Sequence, residues 1–553
     1  MFSRSAVSIL TVSLTVIPST TLRGQSTRFR LALILICALG LGIRIFLHAG
    51  RAWLGDEWGS ILALNDDYRS LLTHFGGWKT MNFYLVALKA ISGLTLQPNW
   101  LLVAPSLLCG CWLIILAAAI TLRLGGGARG ALFAAALVAT NPFLVYHSVE
   151  IRSYIFLATF SSAMLLCFLD WQTTGRLREG IACGIFGALA LLMHLNGIYT
   201  LAAIGVLSLI WTVPRLARHE PDTWRRLAVL GVPAILLIGA VTAAYIPQMA
   251  DIRTFRAKWS DTPPTALTFL PKTASLFFGE GYMVLPALGA ILYAAWRVTH
   301  QRRPGQILLA AVVVPVAVIS LAGVSHYPHA YARFLIAVLP WLLILIADAL
   351  AAATSSWGRA ASIAVVLAVV GGGLQSHRVA YRDLHAAPWD RISTALKQRM
   401  GPAGPCLVVG DPVNAVALQA YGVSAKTGIA DTLAASPESQ QCVVLLVDTA
   451  RLLDGRPEVE HFGQLGLSRR IGKPRDIGEG ICADLIAGTG GRIDPALVTP
   501  YVEIVQLLRW LGRADQAQAY QHLTALCRQH RKPLSLPQRR PRITPVLAND
   551  RAD

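Results

Sequence analysis

The chain has 553 residues, of which 54% are hydrophobic and only 14% are charged. A soluble globular protein of this length does not need so much apolar surface, so the composition predicts a polytopic membrane protein. The net charge of +19 does not indicate nucleic-acid binding, because much of the positive charge lies in short loops between apolar runs, where it orients helices in the membrane.

The chain begins with a segment, residues 1–29, that precedes the first long apolar run. Arg4 and the apolar residues 6–17 resemble the core of a signal peptide, although no convincing small-x-small cleavage site follows them. Arginines at positions 23, 28 and 30 come at the start of the apolar run and favour a cytoplasmic N-terminus. We interpret the segment either as a weakly structured N-terminal extension or as the product of a start codon assigned too early.

Residues 30–375 are predicted to form a transmembrane domain. Its apolar segments are about 17–22 residues long, which is the length that the hydrocarbon core of a bilayer requires. Most loop arginines lie in alternate loops, as a cytoplasmic N-terminus demands, and eleven spans then place the C-terminus outside. We expect the spans at roughly 30–49, 101–122, 130–147, 153–170, 180–196, 197–213, 227–246, 281–297, 307–324, 333–352 and 359–375.

Two outer loops depart from this simple pattern. The first, 50–100, contains an apolar stretch at 81–94 that is interrupted by Lys89, and we predict a helix lying in the membrane interface. Counting it as a span would invert the topology of every later segment. The loop 247–280 carries four cations on the outer side, Arg253, Arg256, Lys258 and Lys272, so either the topology slips there or these cations have a function.

The composition becomes that of a soluble domain from about residue 376. Short apolar runs at 406–410 and 442–447 predict strands, with a helix between them at 413–421, and 502–529 predicts a helical hairpin. We therefore expect a small α/β domain over 376–530 and a disordered basic tail over 531–553. The four cysteines of this part have no metal-ligand spacing, and their disulfide pairing is open.

Polar side chains collect at the outer ends of the predicted spans. Ionisable groups at membrane depth are costly and are usually functional, so a common location indicates a single site. Each residue alone has a simpler explanation: Asp56 as a helix cap, Glu150 and Arg152 as an ordinary ion pair, His194 as a packing residue, and Arg333 as a side chain that reaches the headgroups. The candidates are Asp56, Glu57, Glu150, Arg152, Tyr154, His194, His326, Tyr331 and Arg333.

Four motifs in order, over roughly residues 30–350, resemble the GT-C glycosyltransferases. They are Trp-Leu-Gly-Asp-Glu at 53–57, Asn-Pro-Phe with Tyr-His-Ser-Val-Glu-Ile-Arg-Ser-Tyr over 141–154, Met-His-Leu-Asn-Gly at 193–197, and Tyr-Ala-Arg-Phe-Leu-Ile-Ala-Val-Leu-Pro at 331–340. The nearest kin are bacterial relatives of protein O-mannosyltransferases and of lipid A aminoarabinose transferases. The chain departs from many relatives at Met81-Asn82-Phe83, where they have His-Pro-Pro before the interfacial helix.

The resemblance implies roles for the candidate residues. Asp56 is the expected catalytic base, with Glu57 as its neighbour, and the donor is a polyprenyl-phosphate sugar whose phosphate leaving group needs no general acid. Arg152 and Arg333 are expected to bind phosphate oxygens. The substrate-binding set is completed by Glu150, Tyr154, His194, His326 and Tyr331. No cofactor is required, since there is no diphosphate to neutralise, although a divalent metal is possible.

The sequence therefore predicts a polytopic α-helical membrane protein of GT-C type, with about eleven transmembrane helices, interfacial helices in the first outer loop and a small α/β C-terminal domain. Its predicted function is inverting transfer of a sugar to an acceptor hydroxyl on a lipid, glycan or protein. We expect it in the bacterial inner membrane, among membrane lipids, with the site and the C-terminal domain facing the periplasm. The alternatives are a transporter or flippase, which charges within spans or broken helices would favour, and a non-catalytic assembly or sensor protein.

Overall fold

The chain forms two compact units, one of residues 1–385 with 464–467 and one of 386–463 with 468–553. The computed structural model describes most of the first unit up to residue 384 and three short strands of the second. The described residues are 22, 24–49, 55–74, 81–92, 100–220, 222–251, 273–274, 276–278, 284–300, 311–317, 332–353, 356–384, 407–410, 426–427 and 443–446.

The described part of the first unit is helical. A 3-10 turn covers Ile246–Gln248. The helices are α1 (Thr27–His48), α2 (Gly55–Ala63), α3 (Tyr68–Thr73), α4 (Asn82–Ser92), α5 (Trp100–Arg123), α6 (Gly127–Thr140), α7 (Pro142–Val149), α8 (Tyr154–Thr174), α9 (Leu177–Met193), α10 (Gly197–Ala217), α11 (Thr223–Ala244), α12 (Val284–His300), α13 (Leu339–Ala351) and α14 (Ser356–Leu384).

Six of these helices are long and apolar enough to cross a bilayer, or seven if α6 and α7 are one bent span, counted over the described residues. The six are α1, α5, α8, α10, α11 and α14. The spans predicted at 180–196, 281–297 and 333–352 correspond to shorter helices, α9, α12 and α13, of 17, 17 and 13 residues. Because much of 307–324 lies outside the described residues, the total of eleven spans stays a prediction.

The core of the helical unit is formed by α5, α6, α8 and α13. Side chains of α8 are buried on every side, as expected for a helix that is apolar all round. By contrast α1 and α11 each expose an apolar face, with Ile34 and Leu236 as examples, and this suits contact with lipid tails. At the end predicted to face the cytoplasm, ion pairs of Arg123 with Asp170 and of Arg297 with Asp348 join neighbouring helices.

The predicted span over 130–147 is two helices rather than one. α6 ends at Thr140 and α7 begins at Pro142, with an angle of 55° between them. Pro142 has no N–H to continue the helical hydrogen bonds, and the Asn141 side chain accepts from the Leu144 N–H at 3.0 Å, which begins a new helix. The motif of 141–154 therefore starts inside the helical layer, at a bend.

Helices α2, α3 and α4 form the described part of the first outer loop. The predicted interfacial helix at 81–94 is observed as α4, and its position at the membrane surface stays a prediction. Lys89, which interrupts the apolar stretch, donates to the carbonyl of Leu64 at 2.6 Å. Asn82 is fully buried and donates to the carbonyls of Leu71 and His74, so side chains of α4 satisfy the ends of α2 and α3.

The second unit contains a parallel sheet of three described strands in the order β2-β1-β3. The strands are β1 (Leu407–Gly410), β2 (Lys426–Thr427) and β3 (Val443–Leu446). Strands are thus present at both predicted positions, 406–410 and 442–447. The predicted helix at 413–421, the hairpin at 502–529, the tail and all four cysteines of this unit lie outside the described residues, so the α/β class of the domain stays a prediction.

Candidate active site

The ring of Tyr154, in the first turn of α8, lies beside two arginines from distant parts of the chain. The guanidinium carbon of Arg152 is 5.9 Å from the ring centroid, and that of Arg333 is 5.5 Å from it. Arg152 is buried in the turn between α7 and α8, whereas Arg333 is half-buried and lies a turn and a half before α13. A cation within about 6 Å of an aromatic ring is attracted to its face, so Tyr154 holds both charges in one place.

Two histidines contact the same tyrosine. The ring of His147, near the end of α7, is 5.0 Å from the Tyr154 ring, and the ring of His194, directly after α9, is 5.3 Å from it. His194 is also 6.2 Å from Phe334, the residue after Arg333. The ends of α7, α8 and α9 and the segment before α13 therefore meet at one site.

Glu150 forms a buried pair with His147. The Nδ1 atom of His147 lies 2.6 Å from Oε2 of Glu150, and both side chains are almost fully buried. Burial raises the pKa of the Glu150 carboxyl, but His147, Arg333 and Arg152 lower it by more, so the pKa lies below its ordinary value. Because the carboxylate is then ionised and can only accept, Nδ1 of His147 carries the proton and Nε2 is the acceptor nitrogen of a neutral ring.

Helix α2 is joined to this site by two hydrogen bonds. Oε1 of Glu57 accepts from the backbone N–H of Ile151 at 2.8 Å, and the Ser60 hydroxyl accepts from Nη1 of Arg152 at 3.2 Å. Glu57 and Ser60 are fully buried. Asp56 lies next to Glu57 in the first turn of α2, and its side chain lies outside the described part of the structure.

His194 is held in one tautomer. Its Nδ1 accepts from the backbone N–H of Asn196 at 3.1 Å, which leaves the proton on Nε2. Burial and the charge of Arg152 lower the pKa of His194 to about 3. The ring is therefore neutral at physiological pH and carries one N–H donor.

The chain matches known proteins at the level of fold and partial sequence. Residues 81–243 match a family model described as dolichyl-phosphate-mannose-protein mannosyltransferase. ArnT from Cupriavidus metallidurans bound to undecaprenyl phosphate is 16% identical, with 70% of this chain and 84% of ArnT covered and a TM-score of 0.50. Apo ArnT from the same organism is 15% identical, with coverage of 82% and 91% and a TM-score of 0.50. A search of curated proteins finds no match.

ArnT is a GT-C glycosyltransferase. The fold of this chain is the GT-C fold. The resemblance to GT-C glycosyltransferases that the four motifs indicate is confirmed. The stretch that matches the mannosyltransferase model contains four of the candidate residues, Glu150, Arg152, Tyr154 and His194.

Met81, in the segment where many GT-C proteins have His-Pro-Pro, packs against the site. The Ser153 hydroxyl contacts the sulfur of Met81 at 2.7 Å, and the Phe83 ring lies 5.2 Å from that of Tyr245. The next residue, Tyr84, is a buried phenol whose pKa is raised, chiefly by burial, with Arg152 nearby acting in the opposite direction. Met81 therefore contacts the loop of 150–153, whereas Phe83 packs against Tyr245.

The structure gathers Glu57, Glu150, Arg152, Tyr154, His194 and Arg333, as expected for one site. His326 and Tyr331 lie outside the described residues, as do Arg253, Arg256 and Lys258. Within the described ranges no three His, Cys, Asp or Glu side chains form a group that could hold a metal ion.

Two residues of the site were not among the predicted candidates, His147 and Ser60. The spacing of His147 and Glu150, three residues apart in a helical segment, was a usable signal, because such residues lie on the same face. Ser60 had no signal in the sequence, since its partner Arg152 comes from another part of the fold.

Proposed function

We propose that this protein is an inverting glycosyltransferase that moves a sugar from a polyprenyl-phosphate donor to an acceptor hydroxyl. The observation that carries the proposal is the convergence of Arg152 and Arg333 on the Tyr154 ring, beside the helix that bears Asp56. The GT-C fold supports it, and so does the undecaprenyl phosphate bound to ArnT, a structural neighbour.

The two arginines are proposed to bind the donor phosphate. A planar guanidinium forms paired, charge-assisted hydrogen bonds with phosphate oxygens, and two of them match a group that carries its charge on several oxygens. The ionised Glu150 partly offsets their charge. His194, with its Nε2–H, supplies a neutral donor for a sugar hydroxyl or a phosphate oxygen.

Asp56 is proposed as the base. The phosphate of the donor is already a good leaving group, whereas the acceptor hydroxyl must lose its proton as it attacks the anomeric carbon from the opposite face. One carboxylate suffices, and a single displacement inverts the configuration. Glu57 is proposed to support Asp56 by position, because its carboxylate accepts from the Ile151 N–H and so holds α2 against the segment that contains Arg152.

The proposed place of action is the bacterial inner membrane, with the site facing the periplasm. The gathered side chains from the ends of α7, α8 and α9 lie opposite the Arg123–Asp170 and Arg297–Asp348 pairs. The arginine pattern of the loops assigns those pairs to the cytoplasmic end. The acceptor is proposed to be a hydroxyl of a lipid, a glycan or a protein. A divalent metal remains outside the proposed chemistry.

The test is sugar transfer by purified protein supplied with radiolabelled undecaprenyl-phosphate sugars, read as loss of labelled donor. Asp56→Asn keeps the shape of the side chain and removes the base, so transfer should be abolished while expression and melting temperature are unchanged. The matched control is Asp67→Asn, since Asp67 caps α3 by accepting from the Ser70 N–H and asparagine caps equally well. Full transfer by the purified Asp56→Asn enzyme would contradict the assignment of the base.

A transporter or flippase of a lipid-linked substrate is the second candidate function. The bend between α6 and α7 and the buried Arg44 within α1 are features that this alternative predicts. Proteoliposomes with a fluorescent polyprenyl-phosphate lipid separate the two. Movement of lipid between leaflets by the Asp56→Asn variant, without any transfer by the wild type, would favour the transporter.

A further inference from the structure

The bend between α6 and α7 leaves backbone carbonyls inside the helical bundle without helical hydrogen-bond donors. A helix leaves its last carbonyls without helical donors, and the proline at 142 removes one more N–H. The residues concerned, Ala139 and Thr140, are almost fully buried, so their carbonyls need donors from elsewhere in the protein.

Two side chains from other helices supply those donors. Nη1 of Arg44, in α1, donates to the carbonyl of Ala139 at 3.1 Å and to that of Gly40 at 2.9 Å. Nε2 of His377, in α14, lies 3.0 Å from the carbonyl oxygen of Thr140, which can only accept, so this nitrogen carries the proton. Arg44 is fully buried, and His377 is 5% exposed.

The surrounding backbone is packed closely around this bend. A Cβ atom at Gly373 of α14 would lie 2.4 Å from the carbonyl oxygen of Thr140, and one at Gly110 of α5 would lie 2.8 Å from Nε of Arg44. Neither position has room for a side chain without displacement of its neighbours. The bend is therefore enclosed by α1, α5 and α14, and its geometry depends on all three.

Helix α7 leads from this bend directly to the candidate active site. It carries His147, and its last residue precedes Glu150, Ile151 and Arg152. The angle at which α7 leaves α6 thus determines where the His147–Glu150 pair and Arg152 lie. Through the Ile151 N–H it also determines where Glu57, and with it α2, is held.

We infer that Arg44 and His377 are positioning residues for sugar transfer, which act by holding α7 at its angle to α6. The inference rests on the proposed function for its catalytic consequence. Neither residue touches the Tyr154 cluster in the described contacts; their effect passes through the carbonyls of Ala139 and Thr140.

Arg44 is poorly suited to a purely stabilising role. A charged side chain inside a membrane helix is costly, and its Nε and Nη2 atoms have no hydrogen-bond partner among the described residues. Removing a buried charge relieves its desolvation cost, and this offsets the cost of leaving the Ala139 carbonyl without a donor. Arg44→Met should therefore change transfer much more than it changes the melting temperature, whereas a structural residue would change both together.

The first test compares Arg44→Met with Arg44→Lys. A misplaced site costs roughly 10- to 100-fold in kcat, which is the loss expected for Arg44→Met, with its melting temperature close to that of the wild type. Arg44→Lys keeps an ammonium donor for the Ala139 carbonyl and should recover most of the lost transfer. Equal losses in both variants, or full transfer by Arg44→Met, would overturn the inference.

The matched control is Arg129→Met. Arg129 lies at the start of α6 and donates to the carbonyls of Ala351 and Ala353, so it also satisfies the end of a helix, but at the opposite end of α6 from the site. Arg129→Met should keep the kcat of the wild type. A loss equal to that of Arg44→Met would mean that any disturbance of the bundle lowers transfer, and the inference would fail.

A second readout does not depend on transfer. Hydrogen exchange of the protein in nanodiscs, followed by mass spectrometry, should show faster exchange of a peptide covering 141–153 in Arg44→Met and in His377→Leu, with peptides of α13 unchanged. Unchanged exchange at 141–153 would overturn the positioning role even if the enzyme is active. Faster exchange there in a protein whose wild type transfers no sugar would support the structural part of the inference and contradict the proposed function.

Discussion

The carboxylate of Glu57 accepts the backbone N–H of Ile151 at 2.8 Å, and this one hydrogen bond links the helix that carries Asp56 to the residue before Arg152. Glu57 is turned inward and engaged with the backbone, and the base is proposed to be its neighbour.

Glu57→Gln should be far milder than Glu57→Leu. Glutamine keeps an oxygen that accepts from Ile151, whereas leucine leaves a buried N–H unsatisfied, which costs about 1–3 kcal/mol. We expect the glutamine variant to keep most of the wild-type transfer and the leucine variant to lose both transfer and melting temperature. If Glu57→Gln were as inactive as Asp56→Asn at an unchanged melting temperature, Glu57 would have a chemical role rather than a positional one.

Arg152→Ala and Arg333→Ala should each weaken the binding of undecaprenyl phosphate. A hydrogen bond to a charged group contributes about 1.5–3 kcal/mol, so the dissociation constant should rise roughly 10- to 100-fold for each variant. Microscale thermophoresis in detergent measures this directly. Arg225→Ala, an exposed arginine at the start of α11, is the control and should bind as the wild type does. Equal weakening in the control would point to a nonspecific effect of charge.

Tyr154→Phe should retain the affinity for undecaprenyl phosphate, and Tyr154→Leu should reduce it. The aromatic face, rather than the hydroxyl, attracts the guanidiniums of Arg152 and Arg333, and such contacts are worth about 0.5–2 kcal/mol. Leucine removes both contacts at once. Loss of affinity in Tyr154→Phe, at an unchanged melting temperature, would show that the phenolic hydroxyl itself contacts the ligand.

The low pKa of His194 predicts a fall in stability on mild acidification. The pKa is about 3 in the folded protein and about 6.5 in an unfolded chain, so below pH 6.5 the unfolded state binds more protons. The free energy of unfolding therefore decreases as the pH falls from 7 to 5. His194→Gln removes this proton uptake and should lose less melting temperature over the same interval than the wild type.

Glu150 does not obscure that experiment. Its pKa is lowered in the folded state, so its contribution to stability is present above its unfolded pKa of about 4.5 and is lost only as the pH falls further. Melting temperatures at pH 7 and pH 5, read by intrinsic fluorescence for both proteins, isolate His194. An equal decrease in the wild type and in His194→Gln would contradict the lowered pKa.

The sequence predicted the gathering of Arg152, Tyr154, His194 and Arg333 because hydrophobic run lengths and loop arginines assign the ends of helices to sides of the membrane, and polar residues at the same side can meet. It also predicted the strands at 407–410 and 443–446, where short apolar runs lie between turn residues. These signals are local, or they depend only on the direction of the chain through the bilayer.

The features that the sequence did not predict depend on contacts between distant segments. The bend at Pro142 was absorbed into a predicted span because the residues on both sides are apolar, although a proline inside such a run is a usable warning. In the sequence Lys89 interrupts the apolar stretch 81–94, and Arg44 lies within the first predicted span without a visible partner. The partners of both are carbonyls, those of Leu64 and Ala139, and no pattern of side chains indicates which carbonyls a fold leaves without donors.

Helix α8 is enclosed by its neighbours along its length, and Tyr154 stands in its first turn. The proposed polyprenyl-phosphate donor would enter from the bilayer, and α8, surrounded by α5, α9 and α10, cannot move aside without disrupting its contacts with all three. We therefore expect the displacement that admits such a donor in helices other than α8, while the Tyr154 ring keeps its place beside Arg152 and Arg333.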